Sequence, residues 1–270
     1  KIKRIECDLN DLSATIRSLK ESKPDYIFHL AAHANVKVCF SNPIAVLENN
    51  IKNTINLFEA IRILEYDPVV QHCSTSELYG IIKKEDCPVS ETFQLNPVNP
   101  YAVSKLTQEK IASCYYHSFG IKVIITRTFA YINPRRPEIF SSAFAKQIVE
   151  IEKGYRKTLV HGNLNSIRTL IDVRDVAEAY WVAIQKCELG KPYNVGGLNI
   201  VSVGEFLELL KRRSNKQNIQ TQLDESLLRP VDVTMQIPNI DEFTKQTLWK
   251  PKISLDESVK FLLEHYRREI

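Results

Sequence analysis

The feature that most restricts the fold is the alternation of short apolar runs with longer amphipathic segments. This pattern predicts strands at residues 2–9, 26–32, 69–74 and 122–129, and helices at residues 11–20, 44–64 and 100–119. The last helix has firm boundaries, because Pro100 suits a first turn and Gly120 suits a helix end. Strands that alternate with helices indicate an α/β fold, a parallel sheet covered by helices on both faces.

The pattern of alternating segments changes after about residue 130. There the apolar and amphipathic segments are shorter, and the prolines fall in predicted loops. Two helices there begin with capping-box sequences, Ser202 with Glu205 and Ser254 with Glu257. We therefore predict a division into residues 1–130 and a smaller α/β lobe formed mainly by residues 131–270, with some segments returning to the first unit.

Composition excludes several classes of protein. The 270 residues are 44% hydrophobic with a net charge of +4, which is unlike a disordered chain and too weakly basic to indicate a nucleic-acid partner. No run approaches the roughly 18 apolar residues of a membrane span, and the first residues do not resemble a signal peptide. The six cysteines form neither a CxxC pair nor a zinc spacing, so we expect reduced thiols in a cytoplasmic protein and no metal site.

Tyr101 and Lys105 are the first candidates for chemistry. Their spacing places both side chains on one face of a helix. A lysine ammonium favours a phenolate, so Lys105 is expected to lower the pKa of Tyr101 and allow it to take a proton from an alcohol. Tyr79 and Lys83 repeat the spacing but span Gly80, and either pair alone is more typical of a surface or core role.

Polar residues follow the strand at residues 69–74. Thr75, Ser76 and Glu77 would lie beyond its carboxyl end, where open parallel sheets bind ligands. A hydroxyl and a carboxylate there can bind a substrate and move a proton, although a polar turn is the simpler interpretation of this segment alone. By the same reasoning Leu30, Ala31 and Ala32 end a strand with residues small enough for a cofactor to approach, and Asp8 and Leu9 end the first strand.

One expected signature of a dinucleotide site is missing. None of the eight glycines forms the Gly-rich turn between strand and helix that binds a pyrophosphate.

Together these motifs resemble the extended short-chain dehydrogenase/reductase family, in its nucleotide-sugar branch. The similarity covers essentially the whole chain and is greatest to GDP-mannose 4,6-dehydratases and their sister reductases; the segments that carry it are STSELYG (74–80), Tyr101 with Lys105, PRR (134–136), HGNLNSIRTLIDVRDVAEAYW (161–181) and LRPVDV (228–233). The resemblance implies a Rossmann-like doubly wound sheet in residues 1–130 and a nucleotide-sugar lobe after it. It also implies that about fifty residues with the Gly-rich turn precede residue 1.

The resemblance also implies roles for the site residues. Tyr101 would be the proton acceptor, Lys105 would hold the nicotinamide ribose, Thr75 would bind the sugar C4 oxygen, and Glu77 would remove the C5 proton; Ser76 is included with this catalytic group. The implied cofactor is NADP, with NAD as the alternative. Besides Tyr101 and Lys105, the implied cofactor-binding residues are Asp8, Leu9, Leu30, Ala31, Ala32, Asn50, Tyr131 and Arg136.

The implied substrate-binding residues are Thr75, Ala130, Arg168, Arg229 and Asp232. Arginine suits a diphosphate through bidentate contacts, although Arg168 could instead pair with Asp172. Three positions depart from the family pattern: Ala130 and Tyr131 replace asparagine and histidine, and Asn53 replaces glycine.

The resulting hypothesis is a nucleotide-sugar 4,6-dehydratase, a lyase acting on GDP-mannose or a related GDP-sugar. The alternatives are a 4-ketoreductase, epimerase or decarboxylase of the same family, or a non-catalytic nucleotide-sugar sensor. We also expect a homodimer or homotetramer assembled through the helices at residues 44–64 and 100–119.

Overall fold

The computed structural model describes residues 2–270, which form ten strands and nine α-helices. The helices are α1 (Leu12–Ser22), α2 (Val36–Ser41), α3 (Pro43–Ile63), α4 (Pro100–Phe119), α5 (Phe140–Glu152), α6 (Val173–Lys186), α7 (Val203–Arg212), α8 (Asp241–Thr247) and α9 (Leu255–Glu269). The strands are β1 (Tyr26–His29), β2 (Val69–Thr75), β3 (Val123–Thr128), β4 (Tyr131–Ile132), β5 (Thr158–His161), β6 (Ile167–Asp172), β7 (Pro192–Val195), β8 (Asn199–Ser202), β9 (Gln220–Leu223) and β10 (Met235–Gln236).

The first sheet is parallel and has the order β1-β2-β3-β7. Its two faces are covered by different helices. Leu57 and Phe58 of α3 and Ala112 of α4 pack on one face, whereas Val176 and Ala183 of α6 pack near the other. Helices on both faces of a parallel sheet confirm the predicted α/β class.

The second group of elements has its own core. Strands β10, β6 and β4 are parallel, β8 pairs antiparallel with β6, and β5 pairs with β9. Phe144, Ile148, Phe206 and Leu262 are buried together between α5, α7 and α9. Strand β7 lies in the first sheet although it follows residue 130 in the chain. The predicted division at residue 130 stays a prediction.

The predicted helix boundaries agree closely with the structure. Asn99 caps α4 before Pro100, and Gly120 ends that helix with φ +70°. Both capping boxes are formed, since each serine accepts from the third backbone N–H and each glutamate accepts from the serine N–H. These termini follow from local hydrogen bonding, which the sequence encodes directly.

Two strand predictions need correction. Residues 2–9 form no strand, and Ile2 is 95% exposed; among the described residues no strand lies beside this segment to satisfy its backbone groups. The predicted strand at residues 26–32 ends at His29. The strand is also less buried than its apolar sequence indicated. In the described sheet β1 is an edge strand that pairs with β2, and its residues Tyr26 and Phe28 are 44% and 36% exposed.

A buried ion pair fixes α4 against the sheet. Arg127 of β3 donates to both carboxylate oxygens of Glu109 on α4, at 3.0 and 2.9 Å. The same guanidinium donates to the Tyr79 hydroxyl and to the backbone carbonyl of Glu91. This contact sets the orientation of the helix that carries Tyr101 and Lys105.

Candidate active site

The polar segment after β2 lies at the carboxyl edge of the first sheet, as expected. Thr75 caps a 3-10 turn over Ser76–Tyr79, and its hydroxyl accepts from the Glu77 N–H at 3.3 Å. Thr75, Ser76 and Glu77 are all buried. The turn directs this segment toward the first turn of α4, where Asn99 lies in hydrogen-bond contact with Glu77.

Tyr101 and Lys105 lie one turn apart on α4, and both are buried. The expected lowering of the Tyr101 pKa is wrong for the protein alone. Burial of the phenol raises the pKa of Tyr101, the nearby Cys73 and Glu77 raise it further, and a hydrogen bond with Thr75 opposes the rise. Burial likewise lowers the pKa of Lys105, against the effects of Cys73 and Glu109. Removal from water is therefore the largest influence on the pKa of both groups.

Glu77 is held by two amide groups. Asn99 Nδ2 donates to Glu77 Oε2 at 2.9 Å, and Gln236 Nε2 donates to Glu77 Oε1 at 3.2 Å. Both contacts are buried, and Gln236 comes from β10 in the second group of strands. Sequence reasoning missed both amides. The helix-cap position of Asn99 gave a usable signal, whereas nothing local pointed to Gln236.

Two histidines lie beneath Lys105. The His29 ring nitrogen Nε2 is 2.8 Å from the Thr54 hydroxyl, and the His29 and His72 rings are 5.5 Å apart. Burial lowers the pKa of His29 to about 3 and that of His72 well below its usual value, and the positive charge of Lys105 lowers both further. Both imidazoles are therefore neutral at physiological pH, so they add no positive charge beside Lys105.

A cavity of about 420 Å³ adjoins the end of β1. Leu30, Ala32, Tyr131 and Arg136 line it together with His33, Ala34, Asn35, Val38 and Glu138. Four predicted cofactor residues thus meet in one space, and Ala31 beside them is exposed. Small side chains at the carboxyl edge of a parallel sheet, with an arginine in the wall, suit a dinucleotide with its phosphates.

Polar residues in and behind the wall of this cavity form hydrogen bonds within the protein. Arg136 donates to Glu138 at 2.7 Å and to the Tyr131 hydroxyl at 3.0 Å. Asn50 is fully buried and is bonded to the His33 backbone and the Ser104 hydroxyl. Asn50 therefore fixes the loop that lines the cavity. Asn53, which replaces the family's glycine, also stabilises this loop, because its side-chain amide donates to the Ala31 carbonyl.

The predicted substrate residues group near β6 and β10. Arg168 donates to the backbone carbonyls of Ile167 and Val233, and it lies 4.0 Å from Asp232. Arg229 lies 3.9 Å from the same carboxylate. Burial lowers the pKa of Arg168, against the nearby Glu77 and Asp232. The alternative pairing of Arg168 with Asp172 is wrong, because Asp172 binds Arg174 at 2.8 Å.

A second cavity, of about 290 Å³, lies beside these residues. It is lined by Leu223, Leu228 and the loop of residues 161–165. In that loop Asn163 donates to Asp232 at 2.9 Å, which links the cavity wall to the charged group. Ala130 does not line this cavity, but it lies beside β6, where its carbonyl accepts from the Ile171 N–H.

The remaining candidate residues make hydrogen bonds within the protein. Tyr79 is in the core and donates to Asn194 at 2.7 Å, so the repeated Tyr79 and Lys83 spacing builds no second site. Asp8 accepts from the Asn10 N–H, and the Leu9 carbonyl accepts from Asn56. Neither residue ends a strand as expected, and their cofactor contacts stay predictions.

Within residues 2–270 no helix is long and apolar enough to cross a membrane. In the same range no group of three or more His, Cys, Asp or Glu side chains is arranged to hold a metal ion.

The fold and site define a Rossmann-like α/β protein of the short-chain dehydrogenase/reductase type. A family model described as GDP-mannose 4,6 dehydratase matches residues 1–262. The chain is 27% identical over 249 residues to a GDP-6-deoxy-D-mannose reductase from Pseudomonas aeruginosa, covering 92% of this chain and 82% of the relative. It is 26% identical over 281 residues to a GDP-mannose 4,6-dehydratase from Yersinia enterocolitica, covering 93% and 75%.

Solved structures agree with this assignment. The structure of RMD from Pseudomonas aeruginosa complexed with NADPH superposes with a TM-score of 0.93 at 25% identity, covering 100% of this chain and 90% of that one. The chain belongs to the GDP-mannose 4,6-dehydratase family of enzymes. The family and the fold class predicted from the sequence are both confirmed.

Proposed function

We propose that the protein is a nucleotide-sugar 4,6-dehydratase that acts on GDP-mannose or a related GDP-sugar. The observation that carries this proposal is the buried carboxylate of Glu77, held beside Tyr101 at the carboxyl edge of the sheet. Removing a proton from carbon needs a fixed base near the oxidised sugar, which a simple ketone reduction does not need.

The proposed cofactor is NADP, with NAD as the alternative. The cavity beside Ala32 and Arg136 fits a dinucleotide, and the Pseudomonas relative was solved with NADPH. When bound, the cofactor would take a hydride from sugar C4 and return it to C6. Lys105 and Arg136 would hold it through its ribose and a phosphate.

The chain's own residues would move the protons. Tyr101 would accept the C4 hydroxyl proton while Thr75 binds the same oxygen. The raised Tyr101 pKa makes this transfer depend on added positive charge near the phenol, such as an oxidised nicotinamide ring supplies. Glu77 would then take the C5 proton, made acidic by the adjacent ketone, and pass it to the departing C6 hydroxyl.

The substrate's diphosphate would lie against Arg168 and Arg229. Both arginines are within about 4 Å of Asp232. Asp232 in turn accepts from Asn163, which lines the cavity formed with Leu223 and Leu228. That cavity has apolar walls and a polar loop, which suit a nucleotide base.

The test is to incubate the protein with GDP-, UDP-, CDP- and dTDP-sugars and catalytic NADP or NAD. Mass spectrometry should detect loss of one water from a GDP-sugar. Glu77→Gln should abolish this loss, whereas the exposed control Glu85→Gln should not. Water loss that persists in Glu77→Gln would contradict the proposal.

A 4-ketoreductase is the second candidate, favoured by the similarity to the Pseudomonas reductase across 92% of the chain. The same assay separates the two reactions. A dehydratase regenerates its cofactor, whereas a reductase consumes one NADPH for each sugar reduced. Stoichiometric NADPH oxidation by a 4-keto sugar without water loss would establish the reductase.

A homo-oligomer in the cytoplasm completes the proposal. Helices α3 and α4 pack together and carry exposed apolar side chains, Ile44, Ile55 and Ile63 on α3 and Val103 and Phe119 on α4. The six cysteines are all free thiols, which suits a reducing compartment. Light scattering at micromolar concentration should give a dimer or tetramer, and a monomer would contradict this.

A further inference from the structure

The Glu77 carboxylate receives one N–H donor on each oxygen. Asn99 donates to Oε2 at 2.9 Å and Gln236 donates to Oε1 at 3.2 Å, and both amides are 4% exposed. An amide N–H can only donate, so the two contacts hold the carboxylate through both of its oxygens.

The two amides differ in what holds them. The Asn99 oxygen accepts from the Ala102 N–H at 2.8 Å, so that amide is oriented by the first turn of α4. Gln236 is 159 residues away from Glu77 in sequence and reaches it from β10. In the strand register Gln236 lies opposite Arg168, beside the proposed diphosphate site.

Charged and titratable groups approach Glu77 from three further elements. Tyr101 on α4, Arg168 on β6 and Cys39 on α2 each lie close enough for their electrostatic interaction with this carboxylate to matter. Among these three groups Arg168 is the one cation, so a positive charge approaches the carboxylate in addition to the two amide donors.

We propose that Gln236 is a positioning residue that holds Glu77 aimed at the sugar C5 proton, and so ties the base to the strands that carry the proposed diphosphate site. This inference rests on the proposed dehydratase function. In the step concerned, Glu77 takes the C5 proton, and the electron pair of that bond forms the C5–C6 double bond. The C6–O bond breaks, and the departing oxygen leaves as water with the proton from Glu77.

The test uses Gln236→Met, which keeps the side-chain length but removes the donor, and Gln236→Glu, which places a second carboxylate at the contact. Met235→Leu, on the same strand, is the matched control. Single-turnover absorbance at 340 nm would separate the steps, because the proposed reaction would reduce a bound cofactor before elimination and reoxidise it afterwards.

For Gln236→Met we expect reduction at the wild-type rate but reoxidation and kcat about tenfold slower, with KM within about twofold. Gln236→Glu, which replaces the amide donor by a second carboxylate, should slow reoxidation and kcat at least as much, and Met235→Leu should match the wild type in both rates. If the methionine variant does not fold, the glutamate variant decides by the same comparison of reduction and reoxidation rates.

Two negative results are distinguishable. If the wild type removes water but the reoxidation rate does not change in the variants, the role of Gln236 is overturned and the dehydratase stands. If the wild type removes water from no nucleotide sugar, the dehydratase function is overturned, and this inference with it.

Discussion

Replacing Glu109 with leucine should strongly destabilise the protein. Arg127 and Glu109 side chains are only 6% and 5% exposed and meet through two hydrogen bonds of about 3 Å. Loss of the carboxylate leaves a buried guanidinium with the Tyr79 hydroxyl and the Glu91 carbonyl as its remaining partners. Removing one partner of a buried pair typically costs about 3–5 kcal/mol, because the other charge stays desolvated.

Equilibrium urea unfolding followed by circular dichroism measures this cost. The double variant Glu109→Leu/Arg127→Met should be more stable than the single one, because it buries no unpaired charge. Glu242→Gln is the exposed control: its ion pair with Lys245 has side chains 64% and 72% exposed, so its loss should cost less than about 1 kcal/mol. A single-variant cost below about 1 kcal/mol, or a double variant no more stable than the single one, would refute the reasoning.

Three further predictions concern stability. In the unfolded chain histidine is protonated below about pH 6.5, whereas the folded protein keeps His29 and His72 neutral. The unfolded state therefore binds more protons as the pH falls. The free energy of unfolding should decrease between pH 6.5 and 5 by about 1.5 kcal/mol per histidine. In urea titrations at several pH values, His72→Met should remove the contribution of one histidine to this pH dependence of stability. An unchanged pH dependence would contradict the prediction. Gly80→Ala should lower stability by more than about 2 kcal/mol, since φ is +69° and the new Cβ would stand 1.9 Å from a carbonyl oxygen. Gly120→Ala, with φ +70° and nothing within 4 Å, should cost about 1 kcal/mol, and equal losses for the two glycines would refute the clash. Ser254→Ala should cost about 1 kcal/mol by thermal or urea unfolding through loss of the capping box with Glu257, and no measurable change would show that the cap is not stabilising.

Much of the fold could be predicted from sequence because its signals are local. Pro100, Gly120 and the serines of the two capping boxes act within one helical turn, and the structure places helix ends where they indicate. The strand predicted at residues 69–74 is β2, which extends one residue further, and Tyr101 and Lys105 lie one turn apart on α4 as their spacing predicted. Periodicity says which elements form, but it does not say which neighbours they have.

The two strand predictions that were wrong failed because they depend on which strands lie next to each other in the sheet. Residues 2–9 have a strand-like sequence, yet a strand needs a hydrogen-bonded partner, which the described residues do not supply. The apolar β1 occupies an edge of the sheet, so its burial was overestimated from composition. Both outcomes depend on sheet order, a property of the whole chain.

The sequence by itself determined the family, the α/β class and the helices and strand that carry Thr75, Glu77, Tyr101 and Lys105, because local motifs carry these signals. Only the tertiary structure decided how those side chains are tuned. Burial reversed the expected direction of the Tyr101 pKa, and Gln236 reached Glu77 from β10. Desolvation and contacts between distant segments arise only when the chain is packed, so no local pattern of residues contains them.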